Sequence, residues 1–533
     1  MFTDELSQGR RSEQERERVR ASGPASPGAA VAIELAIAAT LLSVAACRGD
    51  GAGGSESSGD ETGPATESGA CEEPIARPAL ADARLTIDAD GRLRDALDRV
   101  VVMRGINTGG RSKWAPFVPF PIAPDASLDE LEAAAETFFA RVVPWGLDTV
   151  RLPFSWEALE PSAGELDARY LDRYERVVDV AWSFGLRVII DFHQDVYASP
   201  FCGDGFPLWT VPEPGPPRRD CPEWFLGYVV DPEVQAAFDR LWSDETGVQS
   251  QLRAMWIVMA TRFAAHPGVV GFEMINEPGW GSASSVQAFK RDVLTPFHAS
   301  LAAELRAVAP DVLVLYDNPG IDALGFGEIE HQRPAGDGLV YAPHLYDSGL
   351  INGEPWTGSD PRAALSEIAA FAAAERIPAL LGEFGVADGA VGGAEWLAEA
   401  MAAIDEHALS STLWEYSVAA EQWNEEDLSV VTGSGAERAV LDTFVRPWLR
   451  AVAGTRARFS WDPVQGVAEA AWTAADGITE IVLPSRRFTL SSSEAAPRIE
   501  LTGDGACYTL DANHGALLVA APAGVEVEVR VLE

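Results

Sequence analysis

Eight short apolar runs recur along the chain, and six of them end on or lead into a polar or aromatic side chain that an apolar run has no packing reason to carry. The runs end near Arg104, Arg151, Phe192, Ile275, Tyr316, Ala342, Leu381 and Trp414, and amphipathic stretches lie between most of them. Ser127-Leu128-Asp129-Glu130 reads as a capping box that opens one such helix. Residues 171–182 carry helical spacing in another. Strand–helix alternation predicts a parallel sheet covered by helices. Eight repeats over some 350 residues predict an α/β fold of the (β/α)₈ TIM barrel type, with its chemistry at the C-terminal ends of the strands. An open doubly wound sheet is the competing architecture, and no Gly-x-Gly-x-x-Gly turn after the first strand favours it.

On either side of residues 80–452 the pattern changes. Residues 1–30 are polar and arginine-rich, and an apolar run over 35–46 ends Ser43-Val44-Ala45-Ala46-Cys47. About a dozen apolar residues is too short for a membrane span but fits a signal-peptide core. Small residues directly before a cysteine resemble a bacterial lipobox, so Cys47 is read as a lipidation site and 1–47 as a leader. An ordinary secretory signal is the alternative. Either way the protein is expected to be exported, as a cell-envelope lipoprotein or a secreted protein. Residues 48–79 are read as a flexible linker rich in Gly, Ser and Glu. Beyond Arg446-Pro447, the stretches 478–483 and 525–531 alternate apolar and polar residues at period two, as half-buried antiparallel strands do. Residues 453–533 are therefore expected to form a small C-terminal antiparallel β-sandwich.

Export makes disulfides plausible. Among the five cysteines, Cys202 and Cys221 share one loop-rich segment, 196–238, and are the favoured pair; elimination leaves Cys71 with Cys507. No pair has the spacing of a zinc site. A formal net charge of −41 argues against nucleic acid as a partner, because a phosphate backbone needs a basic footprint.

The strand ends bring polar residues together. Gly271-Phe272-Glu273-Met274-Ile275-Asn276-Glu277-Pro278 is an apolar run that delivers a carboxyl group and is stopped by a proline. Leu380-Leu381-Gly382-Glu383 delivers a second. Arg151, His193, Asp195, Asn276, His344, Tyr346 and Trp414 fall at the same rim. Any one of these alone is more simply a structural residue or a solvated charge; all of them at one rim predict a site. Two carboxyl groups among polar and aromatic residues suit glycoside hydrolysis, one attacking the anomeric carbon and the other protonating the leaving oxygen. That division needs one carboxyl kept neutral and the other ionised, with Arg151 and His344 placed to hold Glu383 as carboxylate. No cofactor or metal is required by this chemistry.

The order Arg151, His193, Asn276-Glu277, His344-x-Tyr346, Glu383, Trp414 on successive strands resembles glycoside hydrolase family 5, whose members are retaining (β/α)₈ enzymes. The resemblance covers about residues 98–450 and implies that Glu277 is acid/base and Glu383 nucleophile. Asp191-Phe192-His193-Gln194-Asp195-Val196-Tyr197, Trp423-Asn424-Glu425-Glu426-Asp427-Leu428-Ser429 and Thr479-Glu480-Ile481-Val482-Leu483-Pro484 further resemble endoglycoceramidases and related glycosylceramidases. That likeness implies a glycosphingolipid substrate, cleaved between a glucose-headed glycan and ceramide, with Asp195 and Lys113 on the sugar. Tyr316-Asp317-Asn318-Pro319 departs from the Glu-Pro that many family members carry there. Residues 114–120, with Trp114, Phe117 and Phe120, are read as an aromatic lip for lipid entry, and a lipid anchor as the link to a membrane surface. Hydrolysis of soluble β-glucan or β-mannan on the same site, and a surface lectin without turnover, are the competing readings.

Overall fold

The computed structural model describes residues 67–325, 329–491 and 496–533; the leader with Cys47 and the linker up to residue 66 lie outside them. The eight parallel strands are β1 Arg104–Asn107, β2 Thr149–Phe154, β3 Arg187–Phe192, β4 Val269–Glu273, β5 Leu313–Tyr316, β6 Leu339–Tyr341, β7 Leu380–Leu381 and β8 Ser410–Leu413. They lie side by side in the order β6-β5-β4-β3-β2-β1-β8-β7. A parallel bridge from Tyr341 to Ala379 joins the two outer strands, and just above it His344 pairs with Glu383. The sheet is thereby drawn into a barrel. Every residue of the eight strands is buried, as expected of strands covered by helices on one face and filled by their own side chains on the other. The Ser127 hydroxyl caps the helix Leu128–Phe139, whose Glu130 carboxylate accepts from the Ser127 backbone N–H at 2.8 Å.

Three strand ends differ from the sequence reading. The first barrel strand begins at Arg104 rather than ending near it, because the preceding Val100–Val101 pairs with Val452 and Ala451 in another sheet. The second runs past Arg151 to Phe154. The fourth ends at Glu273, leaving Asn276 and Glu277 on the loop beyond it.

Two antiparallel sheets pack on a shared core that includes Trp461, Trp472, Leu517 and Val529. The seven-stranded sheet takes in Thr86–Ile87, Leu93–Arg94, Val100–Val101 and Trp448–Val452, so the sandwich is not confined to 453–533. Strands of two residues are too short to show a period, which is why the N-terminal ones are silent in the sequence. Both expected disulfides form, Cys71–Cys507 across a separation of 436 residues and Cys202–Cys221 across 19.

Residues 114–120 do not line the catalytic cavity, although Trp114 faces a second one beside it. Phe117 packs edge-on against Tyr170, and Val118 and Phe120 are in the core. Burying these side chains removes more apolar surface from water than an open lip does.

Candidate active site

Two loops at the C-terminal rim bring the glutamates together. Glu277 follows β4 and holds φ at +37°, a conformation that costs a non-glycine residue energy and clusters at functional sites. Its backbone N–H donates to Asp317 Oδ2 at 3.1 Å. Glu383 stands just beyond β7 in register with His344. Oxygens of Glu277 and Glu383 lie within 4.8 Å of one another around His344 Nδ1, which is 2.8 Å from Glu277 Oε1 and 3.5 Å from Glu383 Oε2. Retaining glycosidases hold their carboxyl groups about 5–5.5 Å apart, and inverting ones about 6.5–9.5 Å, to admit a water. The spacing here is of the first kind.

The environments of the two differ. Glu383 accepts at both oxygens, from Arg151 Nη1 at 2.6 Å and Tyr346 Oη at 2.9 Å, as an ionised carboxylate does. Glu277 has no Lys or Arg paired with it among the described residues; burial, reinforced by the Asp195 charge, raises its pKa to about 8. Burial also pulls His344 down to about 4, so the ring between the carboxyls is neutral. At neutral pH the site therefore offers a protonated Glu277 beside a carboxyl that Arg151 and Tyr346 engage at both oxygens.

Arg151 is the hub beneath them. Its Nε and Nη2 donate to the two oxygens of Glu273 at 2.7 and 2.8 Å, and Nη2 also donates to Asn276 Oδ1 at 2.8 Å. Nη1 is shared between Glu383 and Asn107 Oδ1 at 2.9 Å, and Asp191 Oδ1 lies 3.2 Å from Nη2. Only a guanidinium presents five donors in one rigid plane. As expected, Arg151 holds Glu383; Asn276, which falls at the same rim, is engaged behind the glutamates as well, its Nδ2 donating to the Gln194 carbonyl at 3.1 Å. His344 is likewise buried between the glutamates and Asp317, its Nε2 3.3 Å from Asp317 Oδ2.

A cavity of about 690 Å³ opens above the pair and is lined by Lys113, His193, Asp195, Tyr346 and Trp414 together with both glutamates. Lys113 Nζ donates to Asp195 Oδ2 at 2.7 Å and sits 3.8 Å from the centre of the Trp423 ring. The Asp195 carboxyl, though buried, is held down at about 2 by the Lys113 charge. Burial disfavours a charged His193, but Asp191 and Asp195 outweigh it and hold its pKa well above the ordinary value. The resulting imidazolium stacks on Trp414 at 5.1 Å. These groups come from the loops after β1, β3 and β8. Ala323, Leu324, Ile351 and Ala387, from the loops after β5 to β7, add apolar surface to the lining beside Ser348, Asn352, Glu354 and Asp388.

Sequence reasoning assigned no role to Asp191, Glu273, Asn107, Trp423, Gly320 or Glu426, which accepts from Trp414 Nε1 at 2.6 Å. Asp191 and Glu273 carried a signal, each a lone charge inside an otherwise apolar strand. Gly320 carried none. A Cβ there meets Glu277 Oε2 at 2.4 Å. Gly320→Ala is therefore expected to turn the Glu277 carboxyl away and lower kcat by about 10²-fold, the scale of a 1 Å misplacement. Steady-state kinetics alongside an unchanged melting curve checks this.

The family model described as Cellulase (glycosyl hydrolase family 5) matches residues 121–420, more than half of the 533-residue chain. The chain belongs to glycosyl hydrolase family 5. Endoglycoceramidase I of Rhodococcus hoagii (strain 103S) is 34% identical over 202 residues, 37% of this chain and 38% of the relative. Endoglycoceramidase of Hydra vulgaris is 23% identical over 262 residues, 43% of this chain and 50% of the relative. The chain thus spans no more than half the length of these two curated relatives. Among solved structures, endo-glycoceramidase II from Rhodococcus sp. in an iminocyclitol complex aligns with TM-score 0.67 and 27% identity, covering 83% of this chain and 99% of that one.

Proposed function

We propose that this family 5 protein is a retaining β-glycosidase that cleaves the bond between a glucose-headed glycan and ceramide in glycosphingolipids. The observation that carries the chemistry is the pair of carboxyls within 4.8 Å in unequal environments. Glu383 attacks the anomeric carbon as Glu277 gives its proton to the leaving oxygen, forming a glycosyl ester on Glu383 and releasing ceramide. Glu277, now a carboxylate, takes a proton from water, whose oxygen displaces Glu383 and restores the starting state. Arg151 and Tyr346 hold the nucleophile in place, and Lys113, Asp195, His193 and Trp414 face the sugars. A cavity lined by apolar side chains as well as polar and aromatic ones supports a substrate with a sugar at one end and a lipid at the other, as do the names of the relatives. Export, with lipid anchoring through Cys47, belongs to the same proposal; the two disulfides fit an oxidising compartment.

Incubation with a glycosphingolipid and, separately, a soluble β-glucan tests the substrate. Release of intact glycan and ceramide is expected; release from glucan alone overturns it. The pH profile is a second check. Glu277 works protonated, so kcat/KM is expected to fall as pH rises through about 8. A rate that climbs across that range contradicts the assignment of the acid.

A further inference from the structure

A second cavity of about 370 Å³ adjoins the catalytic one, and Lys113 lines both. In a chain of net charge −41, three arginines converge on it: Arg111, Arg218 and Arg219. Resting on the glycosidase reading above, we infer that this second cavity is a distal glycan subsite for an anionic sugar, one that carries a carboxylate or a sulfate ester.

The cations are held in place and incompletely neutralised. Arg111 donates to the carbonyls of Trp114 and Ala115, both at 2.9 Å, and has no ion-pair partner among the described residues. Its guanidinium lies 4.7 Å from the centre of the Trp114 ring, and that of Arg219 lies 5.4 Å from it. Burial and then the Arg219 charge lower the Arg111 pKa, so the two cations repel across a site that an anion would relieve. Arg218 is 3.8 Å from Asp220, a loose pair, and Arg219 pairs with Glu421 at 2.9 Å. Glu157 is the remaining acid on the wall; burial raises its pKa and a hydrogen bond from Ser199 at 3.3 Å occupies it. The backbone is fixed independently of any ligand. Arg218 N–H donates to Ser199 O at 2.8 Å, Asn424 N–H donates to Arg219 O at 3.0 Å, and the Cys202–Cys221 disulfide closes the loop. Guanidinium forks match carboxylate and sulfate geometry, and the Trp114 and Trp423 rings offer apolar faces to a pyranose.

Because Arg218 and Arg219 side chains are 55% and 49% exposed, replacing them does not open the core. The test measures binding of lactose, sialyllactose and a sulfated lactose to the full-length Glu383→Gln protein by titration calorimetry. At least one anionic probe is expected to bind about tenfold tighter than lactose, with the advantage shrinking as salt screens the charges. Whichever anionic probe gains identifies the charge as carboxylate or sulfate. The Arg218→Ala/Arg219→Ala double variant and Arg111→Gln are expected to erase that advantage while leaving lactose binding unchanged. Equal binding of all three probes overturns the inference, as does an advantage that survives in both arginine variants. Cleavage of a neutral glycolipid with no anionic preference sinks only this inference. Failure to cleave any glycolipid sinks the proposed substrate and leaves the calorimetry to decide the subsite.

Discussion

Glu383→Gln is expected to lower kcat by roughly 10⁴–10⁶-fold, the scale on which loss of a covalent nucleophile is felt. The amide keeps the size of the side chain; its oxygen still accepts from Arg151, and its NH2 can donate to the Tyr346 hydroxyl oxygen once that hydroxyl turns, so the fold and substrate binding are expected to survive. Glu277→Gln is expected to cost less, about 10²–10⁴-fold, the contribution of general acid–base catalysis. The two also separate by leaving group. An aryl glycoside whose phenol departs without a proton needs no acid, so Glu277→Gln is expected to form its glycosyl-enzyme at a near-normal rate while Glu383→Gln stays inactive. Burst kinetics on an activated aryl glycoside reads this directly. Equal losses on activated and natural substrates for Glu277→Gln contradict its role as proton donor.

Arg151→Met is expected to be the most destabilising single change in the barrel. It leaves Glu273, Asp191 and Glu383 buried without the cation they share, and breaking a buried ion pair at one partner costs about 3–5 kcal/mol. Even with Arg151 present, burial raises Glu273 to about 7. Without the guanidinium that pKa rises further. A carboxyl whose folded pKa is raised above its unfolded value contributes instability that grows as pH climbs above the unfolded value. The deficit of Arg151→Met is therefore expected to be largest at pH 8 and to shrink towards pH 5, where Glu273 takes up its proton. Urea unfolding at the two pH values checks both size and sign. A loss below about 1 kcal/mol at pH 8 contradicts the reading of Arg151 as the hub.

The barrel was legible because all eight strands are buried on both faces and so appear as unbroken apolar runs. The rim was legible because a polar residue closing such a run has no packing reason to be there. Both catalytic candidates, with His193, Asp195, Tyr346 and Trp414, were found that way. The layer behind them was legible only at Arg151, expected on Glu383 and found there. Asn276 ends an apolar run just as the glutamates do, and sequence order does not say which side chain faces the cavity and which faces its neighbours. Gly320 acts by lacking a side chain, an absence that only contact with Glu277 makes visible. The aromatic run 114–120 misled for the opposite reason: composition shows apolar surface but not whether it packs inward. The strands at 86–101 were missed because two residues carry no period, and only their partners in 448–452 and 93–94 define them.

The central claim is that catalysis runs through a covalent bond to Glu383 with Glu277 as its acid. It is tested most directly by trapping the intermediate with a 2-deoxy-2-fluoro β-glycoside bearing an activated leaving group, followed by mass spectrometry of the digested protein. The account predicts one glycosyl adduct, on the peptide containing Glu383 and on no other. An adduct on Glu277, or turnover of the reagent with no adduct and release of the α-anomer, would contradict it.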